Sequence, residues 1–387
     1  MTEKLYYSDP FLMDFTAAVL SCEMVTDAYR VVLDRTAFYP EGGGQPADVG
    51  ILNGGSSGGV SVRDVREKDG EIVHFCDRPI PVGTEVTGQV DVPVRFDHMQ
   101  QHSGEHIVSG IICRRYSCEN VGFHLGKDTV MIDFNVVIPP EDLPEIEREA
   151  NGYIWRDQAV EIELLSGEAL AKKHYRSKKE IPGEMRIVTF PGADCCACCG
   201  THVLRAGQVG LVKLLSCQKL RKGVRIELLC GGRAVNYCAA VIEQNTGISQ
   251  LLSAKPLATL SAVERQQQEL NTLRGRVLAL EEESFTRKAA EHAGAGDVVL
   301  FEGDMAPDSL RRLCDAVLRA CGGRCAVFAG GETSGYKYAI GDGGRDVRPL
   351  VQELNRRLGG RGGGKPHFAQ GSVFASKEAI ERALREL

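Results

Sequence analysis

Two pairs of residues have the types and spacing for metal chemistry. His102 and His106 stand four apart in Gln101-His102-Ser103-Gly104-Glu105-His106. On a helix, positions i and i+4 share a face, so both imidazoles can reach one ion. Cys198 and His202 repeat that spacing in Cys198-Cys199-Gly200-Thr201-His202. One H-x-x-x-H pair is equally well explained by structural histidines, but a second pair shifts the balance. One thiolate and three imidazoles suit a single zinc ion per chain, and the soft sulfur argues against magnesium or calcium. The cysteines also spell two C-x-x-C pairs, Cys195/Cys198 and Cys196/Cys199. A zinc ribbon would need a further C-x-x-C, which the sequence lacks. A redox dithiol opens a helix after a strand, and Gly200-Thr201 makes that awkward here.

Other residues are candidates for supporting roles. Glu41 and Glu105 could act as general base or as hydrogen-bond partner of a histidine, although Glu105 could equally face solvent. Asp97 and His98 belong to helix structure on this reading, and His124 is a possible pocket residue. Three basic patches stand out. They are Lys172, Lys173, His174, Arg176, Lys178 and Lys179; Lys219, Arg221, Lys222 and Arg225; and Arg356, Arg357, Arg361 and Lys365. Each alone is more often a solvated face than an RNA contact. The net charge of −6 means that any nucleic-acid contact must come from such local patches.

The elements that must position these groups can be read from patterning. The 387 residues are 43% hydrophobic and 25% charged, as in ordinary globular proteins, and suggest two to three domains. No signal peptide and no apolar run of about 20 residues is visible, so a cytosolic protein with no membrane contact is expected. Most of the fourteen cysteines are then core residues or surface thiols. Residues 1–92 read as a small β-barrel or curled sheet, with strands at 25–33, 60–65, 71–75 and 86–92 and turns at Asn53-Gly54-Gly55 and Lys68-Asp69-Gly70. A helix from Arg95 to about Arg115 carries the first histidine pair. A second runs from Glu141 to Arg156, with proline and acidic residues suited to its start. Strands at 161–165, 185–190, 207–216 and 225–230 complete an α+β domain over 93–250. A long charged helix follows within 251–294. Its Leu270, Leu273, Val277 and Leu280 have heptad spacing, so either a homodimer through the C-terminal half or packing on its own chain is expected. Residues 295–387 alternate strands and helices as a small α/β domain that ends in a glycine-rich run, 359–371.

With these motifs in hand, the chain resembles the stand-alone alanyl-tRNA editing proteins of the AlaX type, relatives of the editing domain of alanyl-tRNA synthetase. The resemblance rests on Phe38-Tyr39-Pro40-Glu41-Gly42-Gly43-Gly44-Gln45-Pro46 with Asp48 and Gly50, on Gln101 to His106, on Cys198 to Val203, and on the closing Gly-Gly-Gly-Lys-Pro-His run. It implies that 93–250 is a zinc-dependent editing domain and 295–387 a tRNA-binding domain. It also implies that the partner is mischarged alanine tRNA, carrying serine or glycine. The family's glycine-rich loop lies beside the zinc, which makes Thr36 and Gln45 candidates for reading the hydroxyl that distinguishes serine from alanine. Lys172, Lys173, Arg176, Arg225, Arg361 and Lys365 are the candidate tRNA contacts. Cys199 stands where the synthetases carry glycine, so either Cys198 or Cys199 could supply the sulfur, with spacing favouring Cys198. No aminoacylation domain fits ahead of residue 36, so action in trans is expected. The alternatives are a non-enzymatic tRNA-binding protein with a structural zinc, and a related threonyl-type deacylase.

Overall fold

A computed structural model describes residues 1–54, 58–177 and 183–387; Gly55, Lys178 and Lys179 of the motifs above lie outside these. The chain forms two compact units, Met1–Thr246 and Gly247–Leu387.

Unit one opens with a closed six-stranded barrel. Its strands are β1 (Asp14–Val25), β2 (Ala28–Leu33), β3 (Gly50–Asn53), β4 (Gly59–Lys68), β5 (Glu71–Cys76) and β6 (Glu85–Val90), in the order β1-β2-β5-β4-β3-β6. The reason is period-2 patterning. Along β6, Val86, Gly88 and Val90 face in while Glu85, Thr87 and Gln89 face out. Phe15, Val31, Leu33, Leu52 and Val62 fill the interior. The expected strand at 25–33 is in fact the second arm of a hairpin, since Thr26 and Asp27 turn the chain between β1 and β2.

Helix α1 (Val92–Tyr116) leaves the barrel and carries the first histidine pair. Asp91 caps it by accepting from the Val94 N–H, a proline sits in its first turn, and Ser117 ends it in the left-handed conformation. Residues 101–112 are all buried, so α1 is the central rod of the second half of the unit. Ile107, Val108, Ile111 and Ile112 meet Ile132, Ile226 and Leu228 in one core. A four-stranded antiparallel sheet covers it, built from β7 (Asn120–Leu125), β8 (Val130–Phe134), β12 (Val212–Leu220) and β13 (Gly223–Cys230) in the order β12-β13-β8-β7. Helix α2 (Leu143–Trp155) and a three-stranded sheet of β9 (Glu161–Leu165), β10 (Met185–Phe190) and β11 (Asp194–Ala197) complete it. The strand expected from residue 207 begins at Val212, because Ala206–Val209 is a single 3-10 turn.

Helix α3 (Gly231–Leu251) runs across the boundary between the units. In unit two, α4 (Thr259–Glu291) is the long helix; Leu270, Leu273, Val277 and Leu280 on it are 44–67% exposed. A five-stranded sheet follows, with β14 (Gly296–Glu302), β15 (Gly322–Gly331), β16 (Gly335–Asp342), β17 (Arg361–Lys365) and β18 (Phe368–Val373) in the order β14-β15-β16-β18-β17. Helices α5 (Pro307–Cys321), α6 (Arg348–Leu358) and α7 (Lys377–Arg385) accompany it. Within this sheet only β14 and β15 pair in parallel, so the sheet is mixed. No helix among the described residues is long and apolar enough to cross a membrane.

Candidate metal centre

One donor atom from each of His102, His106, Cys198 and His202 converges on a point, all four within 4.8 Å of one another. The first two project from one face of α1. Cys198 and His202 reach the point differently from what their spacing suggested, since they flank an irregular turn and not a helix. Gly200 makes that turn possible: a Cβ there would lie 2.2 Å from His102 Cε1. Cys198 Sγ stands 3.5 Å from His102 Nε2 and 3.3 Å from His202 Nε2. Donors around a tetrahedral ion with bonds of about 2.0–2.3 Å lie at similar separations. Cys199 is exposed and outside the group.

Each imidazole is held from behind. His102 Nδ1 bonds Gln45 Oε1 at 2.9 Å, His106 Nδ1 bonds Asp194 Oδ2 at 2.9 Å, and His202 Nδ1 meets Ser103 Oγ at 3.2 Å. With Nδ1 so occupied, all three present Nε2 to the centre, which is the orientation metal-binding histidines adopt. Charge agrees with geometry. Burial alone would raise the Cys198 thiol, but His102, His202 and His106 overcome it and hold it well below its usual range. Burial opposes the charge on His106, but Cys198 and Asp194 together raise it well above the ordinary value, whereas burial pulls His202 down to about 3. A cysteine held toward its thiolate form among outward-anchored imidazoles fits a transition-metal ion.

Asp194 itself is pinned. Arg176 donates Nε to Oδ1 at 2.7 Å and Nη2 to Oδ2 at 2.8 Å. Gly110 of α1 permits the approach, because a Cβ there would lie 2.3 Å from the Ala193 carbonyl oxygen and 2.7 Å from Asp194 Cβ. Arg186 Nη1 donates to the carbonyls of Cys198 at 2.8 Å and Gly200 at 2.9 Å, fixing the second ligand turn. Phe123 stacks on His102 with ring centroids 4.8 Å apart. Sequence reasoning missed Asp194, Ser103, Arg186 and Phe123 as supports of this centre.

The glycine-rich loop docks on this centre through Gln45. Its Oε1 also accepts the Thr201 N–H at 3.1 Å, and its Nε2 donates to Thr201 Oγ1 at 2.9 Å. Both ends of the amide are thus committed to the donor cluster and its second turn. Thr36 lies buried in the barrel unit, with Oγ1 2.8 Å from His74 Nε2. His74 Nδ1 faces the Val31 carbonyl at 3.1 Å, so that nitrogen must carry the proton. Burial holds His74 down to about 4, so the ring is neutral near pH 7 and Nε2 is a bare acceptor. Thr36 therefore donates its proton to His74 and accepts the Phe38 N–H at 3.1 Å. Its oxygen keeps one lone pair and no proton to offer.

The remaining candidates separate. Glu105 is buried beside His106, whereas Glu41 is exposed and ion-paired with Arg66. Asp97 holds Arg233, His98 is buried in α1, and His124 is exposed. Of the basic residues, Lys172 pairs with Glu168, Lys173 with Glu163, Arg176 with Asp194 and Arg225 with Asp133. Arg361 and Lys365 lie on the exposed strand β17.

Three family models match the chain: tRNA synthetases class II (A) over 10–94, the threonyl and alanyl tRNA synthetase second additional domain over 185–227, and the DHHA1 domain over 295–387. Barrel, metal centre and C-terminal unit thus define a class of proteins built from modules of the tRNA synthetases. The chain is 30% identical along its full length to the alanyl-tRNA editing protein AlaX-L of Pyrococcus horikoshii, covering 98% of that protein. It is also 34% identical to the alanine–tRNA ligase of Pyrococcus abyssi and 33% to that of Halorubrum lacusprofundi, spanning 44% and 43% of those ligases. The chain belongs to the family of alanyl-tRNA editing proteins of the AlaX-L type.

Proposed function

We propose that the protein is a zinc-dependent hydrolase acting in trans, which removes serine or glycine wrongly esterified to alanine tRNA. The observation that carries this reading is the convergence of His102, His106, Cys198 and His202, with Gln45 of the glycine-rich loop hydrogen-bonded to His102. The end-to-end match with a protein named for alanyl-tRNA editing supports it. Zinc, when bound, would supply positive charge beside the ester. Gln45, Asp194 and Ser103 keep the three imidazoles aimed. Thr36, able only to accept, suits a donor hydroxyl on the bound amino acid; serine carries one and alanine does not. A site that hydrogen-bonds the extra hydroxyl spares alanine while removing serine. Arg361 and Lys365, on an exposed strand of the DHHA1 region, serve as phosphate contacts for the tRNA body. The four-donor shell also favours a second reading, in which zinc is structural and the protein binds tRNA without turnover.

Deacylation of seryl-, glycyl- and alanyl-tRNA(Ala) by the purified protein, with and without a chelator, tests both. Multiple turnovers on serine or glycine, sensitive to chelator and sparing alanine, are expected. Stoichiometric binding with no release selects the second reading.

A further inference from the structure

Three imidazoles and a thiolate would fill a tetrahedral shell and leave no ligand position for a water, so ester hydrolysis at this site calls for a proton acceptor outside that shell. We infer that Glu105 is that acceptor. This rests on the hydrolase reading above.

Glu105 follows His102 by three positions and precedes His106, so the three side chains leave α1 on neighbouring sides of one face. Its two oxygens have different fates. Oε1 accepts from Ser109 Oγ at 2.6 Å and from Asn120 Nδ2 at 2.6 Å. Asn120 is fixed in turn, donating to Ser109 Oγ at 2.8 Å and accepting the Gly122 N–H at 3.1 Å. Oε2 accepts no hydrogen bond among the described residues, and lies 3.9 Å from His106 Nε2, the nitrogen aimed at the metal position. The side chain is 5% exposed. Other carboxylates near the centre are spent. Both oxygens of Asp194 are taken by Arg176 and His106, and Glu41 pairs with Arg66 at the surface.

The string His102-Ser103-Gly104-Glu105-His106 is also an H-x-x-E-H sequence. In the metallopeptidases that carry this order, two histidines on one helix hold zinc and the intervening glutamate handles the proton of the attacking water. The chemistry asked of Glu105 is the same. Water attacks the ester carbonyl carbon, one of its protons passes to Oε2, and the carbonyl π pair moves onto oxygen. The C=O bond then re-forms as the bond to the terminal ribose oxygen breaks. That oxygen takes the proton back from Glu105. Ester and water become free amino acid and tRNA hydroxyl, with no change of oxidation state.

The test uses the full-length zinc-loaded protein and the variants Glu105→Gln and Glu105→Asp. The glutamine keeps an oxygen for Ser109 and Asn120 and replaces only the bare one by an amide nitrogen. Three quantities are measured: zinc per chain, affinity for alanine tRNA carrying serine through a non-hydrolysable amide, and the single-turnover rate on seryl-tRNA(Ala). Glu105→Gln should keep one zinc and bind the amide-linked tRNA within twofold, while its rate falls at least about 100-fold, the lower end of general-base contributions. Glu105→Asp should lie between it and the parent. A glutamine variant within about fivefold of an active parent overturns the proposal alone. So does loss of zinc or of amide-linked tRNA binding in step with rate in both variants, since Glu105 would then be holding the site together. A parent that releases no amino acid from any of the three charged tRNAs ends the hydrolase reading and this one with it.

Discussion

A fully buried ion pair joins the barrel to the helix that carries the first histidine pair, and removing half of it should be costly. Arg95, in the first turn of α1, and Asp48, at the end of the glycine-rich loop, both have fully buried side chains. Arg95 Nε donates to Asp48 Oδ1 at 3.0 Å and Oδ2 at 2.9 Å, and Nη2 reaches the same carboxylate. The guanidinium also donates to the carbonyls of Pro10 at 2.9 Å and Ala37 at 2.5 Å, and Asp48 accepts the Tyr39 N–H at 2.6 Å. The pair thereby sets where Gln45 stands relative to His102. Asp48→Ala strands a buried cation, at about 3–5 kcal/mol. It also leaves the Tyr39 amide without its acceptor, for about 1 kcal/mol more. Urea denaturation followed by circular dichroism, fitted with separate transitions for the two units, should show unit one destabilised by about 4–6 kcal/mol. Replacing both residues, Asp48→Leu with Arg95→Met, removes the stranded charge but still leaves the Tyr39 N–H and the Pro10 and Ala37 carbonyls without partners, at about 1 kcal/mol each, so it should recover only about 1–3 kcal/mol of that loss. A single variant within about 1 kcal/mol of the parent, or a double variant no better than the single, would refute the reasoning.

Four further outcomes follow from the same geometry. Asp194→Asn should weaken zinc binding about 10–100-fold in competition with a chromophoric chelator; unchanged affinity would mean that the bond to His106 does not orient it. Burial lowers His74 from 6.5 to about 4, against a smaller opposing contribution from its bond to Val31, so its neutral form is favoured in the folded state. The unfolded chain then binds more protons below pH 6.5, and stability should fall by about 1.4 kcal/mol per pH unit until about pH 4. In His74→Gln that acid slope should flatten, and an identical slope in urea titrations from pH 7.5 to 5 would remove His74 as its source. Thr36→Val should cut serine release about 10-fold, the scale of one hydrogen bond, with less loss on glycine; an unchanged serine preference counts against Thr36 as the reader. Replacing Arg361 and Lys365 by glutamine should weaken tRNA binding and lower the log–log salt slope by about one for each phosphate no longer neutralised. Equal slopes would place the tRNA elsewhere.

What could be read from the sequence is what a single element encloses. The barrel was legible because alternation along a strand reports which face is buried, and β6 needs no other strand to show it. His102 and His106 were legible because a helix fixes their relation within five residues. Cys198 and His202 were found for a reason that does not hold: the helical argument pointed to the right pair, but the turn at Gly200 brings them together. Helix α3 escaped notice because Gly231-Gly232 opens it and imitates a turn, and β17 because a run of glycines in a strand looks like a loop. Of the supporting shell only Gln45 was flagged, and for another use. Gln45 and His102 are 57 positions apart, and His106 and Asp194 are 88 apart. Nothing local in Gln45 distinguishes a substrate reader from a metal-shell anchor, since the same amide serves either use and tertiary contact alone decides. The tether Arg95–Asp48 has the same character: each partner reads as an ordinary surface charge until the barrel closes over both. Reactive types at short spacing are thus visible in one dimension, while the groups that aim them are visible only where separate elements meet.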